Sequence, residues 1–158
     1  MARALVCYYS RTGNTKKMAV RMADVLRDEG LDVDLKKVED ISPPDLLEYH
    51  CLVFGSPTYY GSMASEVKKL FDDSVKFHGK LRGKVGGAFS SSANVGGGNE
   101  TTILDILKAF LIHGMVLQGV YRGDHYGPVG VGRPDKRALE SCDEYAKNLA
   151  SLTKKLFP

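Results

Sequence analysis

Short apolar runs alternate along this chain with stretches whose apolar positions recur at helical spacing. Ala4 to Tyr9 is nearly continuous in apolar residues, as a strand covered on both faces should be. Met18, Met22 and Val25 then repeat with helical period, and Gly30 stands where a helix C-terminal glycine belongs. Leu31 to Leu35 alternates with period two, which predicts a half-buried edge strand. Pro43-Pro44 breaks the connection to Cys51–Phe54, a second buried strand. Val67, Leu70 and Phe71 mark the next helix. Val85 to Phe89 is a weaker strand, diluted by Gly86 and Gly87. Ile103, Ile106, Leu107, Phe110 and Leu111 form a helical stripe, Met115 to Val120 a fifth strand, and Leu139, Cys142, Ala146 and Leu149 a last helix.

Five strands separated by helices predict an α/β fold with a parallel sheet, because parallel strands need crossover helices that cover both faces. The expected architecture is one doubly wound domain over residues 1–158, with a five-stranded sheet in the order 2-1-3-4-5. That order puts the alternating second strand at an edge and the continuous first and third strands inside. Ligands of such sheets bind beyond the carboxyl ends of the strands, at the switch point. The loops after residues 9, 55, 90 and 120 are therefore the places to look for chemistry.

Composition narrows the class. The 158 residues suit one domain with its own core, with 43% hydrophobic and 26% charged residues. The three Cys (Cys7, Cys51, Cys142) contain no CxxC pair, so they predict neither a zinc site nor a dithiol centre. A net charge of +3 without a basic run gives no reason to expect nucleic acid. No stretch nears the roughly 20 apolar residues of a membrane span, and no signal pattern opens the chain, so a cytoplasmic protein is expected. The 17 Gly are the one unusual number.

Three loops carry candidate chemistry. Ser10, Arg11, Thr12, Gly13, Asn14 and Thr15 lead into a helix, whose first N–H groups and dipole bind phosphate. The same residue types are ordinary helix caps. GxxxxGK[ST] and GxGxxG are both absent here, and Gly13 occupies the place of a cysteine phosphatase's arginine, so those phosphate chemistries are excluded. The second loop, Pro57, Thr58, Tyr59, Tyr60 and Gly61, sets two aromatics at the ligand edge, where a flat ring can stack. The third, Ser92, Ala93, Asn94, Val95, Gly96, Gly97 and Gly98, spends three consecutive glycines where backbone can approach a ligand.

A phosphate at one loop and a flat ring against two others describe FMN. Tyr8 to Thr15 resembles the phosphate loop of flavodoxin-like proteins. Pro57 to Met63, Gly96 to Thr102 and His113-Gly114-Met115-Val116 resemble the WrbA-type NAD(P)H:quinone oxidoreductases. The segment from Tyr121 to Asp135 is shorter than theirs. The resemblance implies that Ser10 to Thr15 hold the FMN phosphate and that the second and third loops hold the ring. It implies a catalytic role for His113 near the flavin, although a histidine at a helix C-terminus is also favoured by the dipole alone. It implies NAD(P)H as electron donor and a quinone or similar small molecule as acceptor. The alternative is a flavodoxin that carries electrons between redox partner proteins. Strong acidity marks such carriers as a family, and +3 departs from it. A homo-oligomer stays open, and no metal is expected.

Overall fold

The computed structural model describes residues 1–158. Its elements follow the predicted alternation: β1 (Arg3–Tyr8), α1 (Asn14–Asp28), β2 (Asp32–Lys37), β3 (Cys51–Pro57), α2 (Ser65–Asp73), β4 (Val85–Ser92), α3 (Asn99–Ile112), β5 (Val116–Leu117), β6 (Val129–Val131) and α4 (Lys136–Leu156). All pairings are parallel, in the order β2-β1-β3-β4-β5.

The fifth strand departs from expectation. Only Val116 and Leu117 of the predicted Met115–Val120 run pair, against Val85 and Gly86. The edge is then taken up again by β6, which pairs with Ser90–Ser92. The intervening loop leaves the sheet and returns, so two fragments share one edge. Asp124 fastens this loop. It accepts from the Val129 amide (3.0 Å), the Ser141 hydroxyl (2.9 Å) and the Arg137 guanidinium (3.0 and 3.1 Å).

Strand side chains alternate between two cores. Ala4, Val6 and Tyr8 pack with Met18, Met22 and Leu26 of α1 and Tyr145 and Leu149 of α4. Leu5, Cys7, Leu52 and Phe54 pack with Val67 and Leu70 of α2 and Ile103, Ile106 and Phe110 of α3. Every residue of β4 is buried, despite its glycines. Added carbons at Gly86 and Gly87 would lie 2.9 Å from Leu117 and Phe110 and 2.6 Å from Leu149, so the helices press on both faces there. The Pro43-Pro44 break is itself ordered, as 3-10 turns over Pro43–Glu48 closed by a reciprocal Ser42–Asp45 cap.

Candidate functional site

Two of the helices that open at the carboxyl edge, α1 and α3, start in the same way. Gly13 before α1 and Gly98 before α3 have φ +100°, in the left-handed region. Neither cap residue supplies a side-chain bond, so the helix starts are organised by their loops. In the first loop Ser10 Oγ accepts from Gly13 N (3.1 Å) and Lys16 N (3.3 Å). Its own proton is left to donate outward. The amides of Thr12, Asn14 and Thr15 donate to nothing within the chain. Three free N–H groups and a free hydroxyl proton stand together at the start of α1, where the helix dipole is positive, and such a donor set suits a phosphate.

A cavity of about 240 Å³ opens there. Its walls are Ser10, Arg11, Thr12, Asn14 and Thr15 from the first loop, Pro57, Thr58 and Tyr59 from the second, and Ser92 and Ala93 from the third. Ser91 and Gly132 complete it. No carboxylate lines it, and Arg11 is its one cation. The Arg11 guanidinium lies 5.7 Å from the centre of the Tyr59 ring, and Tyr59 meets Tyr9 edge to face at 6.4 Å. Burial raises the Tyr59 pKa, while Arg11 opposes the shift. The tyrosine therefore stays neutral as an aromatic wall beside the anion site. This donor set and the flat wall fit a phosphorylated aromatic cofactor such as FMN.

The other candidate residues stand beside the cavity. Tyr59 to Ser62 form a tight turn with reciprocal backbone bonds of 2.9 and 3.1 Å. Tyr60 (φ +49°) and Gly61 (φ +75°) are its two left-handed central residues. Tyr60 is thereby held outward and fully exposed, unlike Tyr59. Gly98 makes its close approach to protein. A carbon added there would lie 2.7 Å from Gly61 Cα. Thr101 Oγ1 donates to Gly61 O at 2.6 Å, so the third loop braces the second. Asn94, Val95, Gly96 and Gly97 form a turn closed by Gly97 N to Asn94 O (3.1 Å) at the rim.

His113 is not at this site. Strand and following helix run in opposite directions, so the C-terminus of α3 lies at the far edge of the sheet. Val116 pairs with Val85 at the start of β4, whereas Ser91 and Ser92 line the cavity at its end. At roughly 3.3 Å per residue the two ends are about 20 Å apart. His113 is 7% exposed and bonds Ser74 Oγ through Nε2 at 2.8 Å. It lines a larger hollow of about 410 Å³ with Phe71, Val75, His78 and Ile112, between α2 and α3. The expected catalytic place beside a flavin is thus not its place within the chain.

Ser91 and Gly132 escaped sequence reasoning for different reasons. Ser91 sits one residue before the segment read as a ring loop and bonds Thr15 Oγ1 at 2.9 Å, tying the start of α1 to the sheet. Gly132 follows β6, and three residues flanked by glycine and proline carry no strand signal.

The chain belongs to the flavodoxin domain family, whose pattern matches residues 5–97. A relative named NAD(P)H dehydrogenase (quinone), from Archaeoglobus fulgidus, is 33% identical over 99% of this chain and 100% of its own length. A relative named flavodoxin, from Aquifex aeolicus, is 40% identical over 95% of this chain and 86% of its own. Among solved structures, a flavodoxin, WrbA-like protein from Agrobacterium tumefaciens superposes with a TM-score of 0.83 at 25% identity, over 98% of this chain and 99% of that one. An archaeal flavodoxin gives 0.81 at 25% identity, over 96% and 99%.

Proposed function

We propose that this flavodoxin-family chain is an FMN-dependent oxidoreductase, which takes electrons from NAD(P)H and passes them to a quinone or similar acceptor. The observation that carries the reading is the character of the cavity, which combines free helix N-terminal donors, a neutral tyrosine wall and no carboxylate. When bound, FMN supplies the redox chemistry, and the chain supplies placement and electrostatics. Ser10, Thr12, Asn14 and Thr15 hold the phosphate. Tyr59, Thr58, Ser92 and Ala93 flank the ring. Arg11 keeps the mouth positive and lies over one face of the Tyr59 ring.

Charge supports the enzyme over the carrier. No Asp or Glu occurs before Asp24, and Arg11, Lys16 and Lys17 follow one another through the first loop into α1, while Arg21 is paired with Asp143. Such a rim favours the approach of a phosphate-bearing donor such as NAD(P)H. The carrier reading draws its own support from the end-to-end match to lone flavodoxins.

The first test is the visible spectrum of the purified protein after addition of FMN and gel filtration. A retained flavin spectrum is expected, and failure to retain FMN overturns the reading. Rapid mixing of the loaded protein with NADPH and with NADH then separates the two roles. Bleaching of the flavin within seconds, followed by reoxidation on adding a benzoquinone, is expected of the enzyme. No bleaching by either nucleotide assigns the chain to the carriers.

A further inference from the structure

The hollow between α2 and α3, at the edge of the sheet opposite the candidate site, holds a polar atom with nothing to bond. Ser74 and His113 both line it, and both are buried. A hydroxyl has one proton to give. That of Ser74 goes to Phe71 O at 2.6 Å, so the Ser74 oxygen accepts from His113 Nε2–H at 2.8 Å. Burial, then His78, lowers the His113 pKa, so the ring is neutral near pH 7 and its one proton sits on Nε2. Nδ1 is left as a bare acceptor, buried and without a partner in the chain. A buried acceptor that meets no donor loses its hydration for no return, so such atoms are rare and call for a reason.

The walls narrow the kind of donor that suits it. Phe71, Val75, Ala109 and Ile112 make them largely apolar, and the volume of about 410 Å³ falls in the range of small-molecule sites, roughly 300–1,000 Å³. Lys68 and Asp72 also stand there, but they are exposed and paired with each other at 2.7 Å, so they favour neither sign of ligand. A bare lone pair repels an anion, and a cation loses its hydration on entering apolar walls. Phe71 and the imidazoles of His78 and His113, whose ring centres are 6.1 Å apart, present flat surfaces that an aromatic ring can pack against.

We propose that this hollow is a second binding site, for a neutral phenol whose hydroxyl donates to His113 Nδ1 while its ring lies against Phe71, Val75 and Ile112. The site does not depend on the FMN reading, since it shares no residue with the cavity at the other edge. Nδ1 has no exposed surface, so a neighbour turns aside when the hydroxyl reaches it. His78 is the neighbour placed to do so, because it is exposed, stands ring to ring with His113 and lines the same hollow.

The probes are p-cresol and 4-methylanisole, which share a ring and a shape, while the ether lacks the donor. Each is titrated into the purified protein at neutral pH, with the carbon-bound imidazole protons of His113 and His78 followed by NMR. Saturable binding of p-cresol is expected with a Kd of roughly 1 mM, ordinary for so small a ligand. The ether should bind about fivefold more weakly, the worth of a typical hydrogen bond. His113→Phe keeps a ring and removes the acceptor, so the two probes should bind it equally. Ala109→Phe fills the hollow from α3 and should abolish binding of both, with circular dichroism and FMN uptake unchanged. If His113→Phe does not fold, the ratio of the two probes on the wild-type chain and the Ala109→Phe variant carry the test. Equal affinity of the wild-type chain for both probes, binding that survives Ala109→Phe, or no saturable shift overturns the proposal. Sedimentation that shows a dimer from which p-cresol is excluded also overturns it, because the hollow then serves as an interface between two copies. Failure of the chain to take up FMN overturns the FMN reading and leaves this proposal standing.

Discussion

Gly13 and Gly98 offer a controlled experiment, because they share a φ of +100° and a position before a helix but differ in surroundings. A carbon added at Gly13 meets nothing within 4 Å. Gly13→Ala therefore tests backbone strain alone, which costs about 1–2 kcal/mol for a residue with a side chain in the left-handed region. At Gly98 the same carbon would lie 2.7 Å from Gly61 Cα and 3.3 Å from both Thr58 Cγ2 and Thr101 Oγ1. The first neighbour is backbone and cannot rotate away. Gly98→Ala thus adds an overpacking cost of about 1–3 kcal/mol to the same strain. Its total should be about 2–5 kcal/mol, or 1–3 more than Gly13→Ala. Equilibrium unfolding of the cofactor-free proteins in urea, followed by far-ultraviolet circular dichroism, measures the difference. The second effect concerns the site. Pushing Gly61 outward displaces the Tyr59–Ser62 turn, so Gly98→Ala should weaken FMN binding although Gly98 does not line the cavity. Equal stability of the two variants would refute the argument that the third loop braces the second by close backbone contact.

Other residues give simpler tests. Ser10→Ala removes the acceptor of Gly13 N and Lys16 N and the outward proton, and should weaken FMN binding by roughly 10–100-fold with an unchanged circular dichroism spectrum, from hydrogen bonds to a charged group. Asp124→Ala strips the partners from Val129 N, Ser141 and Arg137, and should cost about 2–3 kcal/mol in thermal unfolding. Burial, then the neighbouring His78, holds the His113 imidazole below its usual value of about 6.5. The unfolded chain binds that proton more readily, so stability should fall as the pH drops below about 6.5 and level off only once the folded imidazole is protonated as well. Melting temperatures between pH 5 and pH 7.5 should change less in His113→Gln than in wild type, with some slope kept because His50 is shifted in the same direction; parallel curves would refute the assignment.

The inner strands were legible because burial on both faces leaves continuous apolar runs, as in β1 and β3. The glycines of β4 misled for the same physical reason. Its faces are so tightly covered that side chains are excluded, and what reads as a weak strand is the most enclosed one. The fifth strand was legible in place and order but not in extent, because the edge is resumed by three residues, Val129–Val131, beside the Asp124 anchor and outside any local pattern. At the candidate site, the loop before α1 was legible because the free amides of a helix N-terminus call for small polar residues and glycine nearby. The glycine triplet reads in the sequence as room for a ligand, but at its last member the room is taken by protein. Gly98 is glycine because another loop occupies the space, and no periodicity records a neighbour 37 residues away in sequence. The role of His113 came from the resemblance alone; within this chain the residue stands at the C-terminus of α3, at the edge of the sheet opposite the cavity.

The divided edge also bears on how the protein avoids its own kind. A parallel sheet ending on a full-length fifth strand would present an unbroken row of amide and carbonyl groups to any passing chain. Here the outermost row is two residues, a gap and three residues. Within the gap the Ala88 amide is taken by the Tyr145 hydroxyl at 3.3 Å. Gly127, at φ +142°, lies so close to the Ala88 carbonyl that an added carbon would come within 2.1 Å of it. Neither fragment is long enough to template a further strand. The loop that spoils the regularity of the sheet thus doubles as a guard against edge-to-edge aggregation, and shortening it to a continuous strand would trade that protection for a tidier edge.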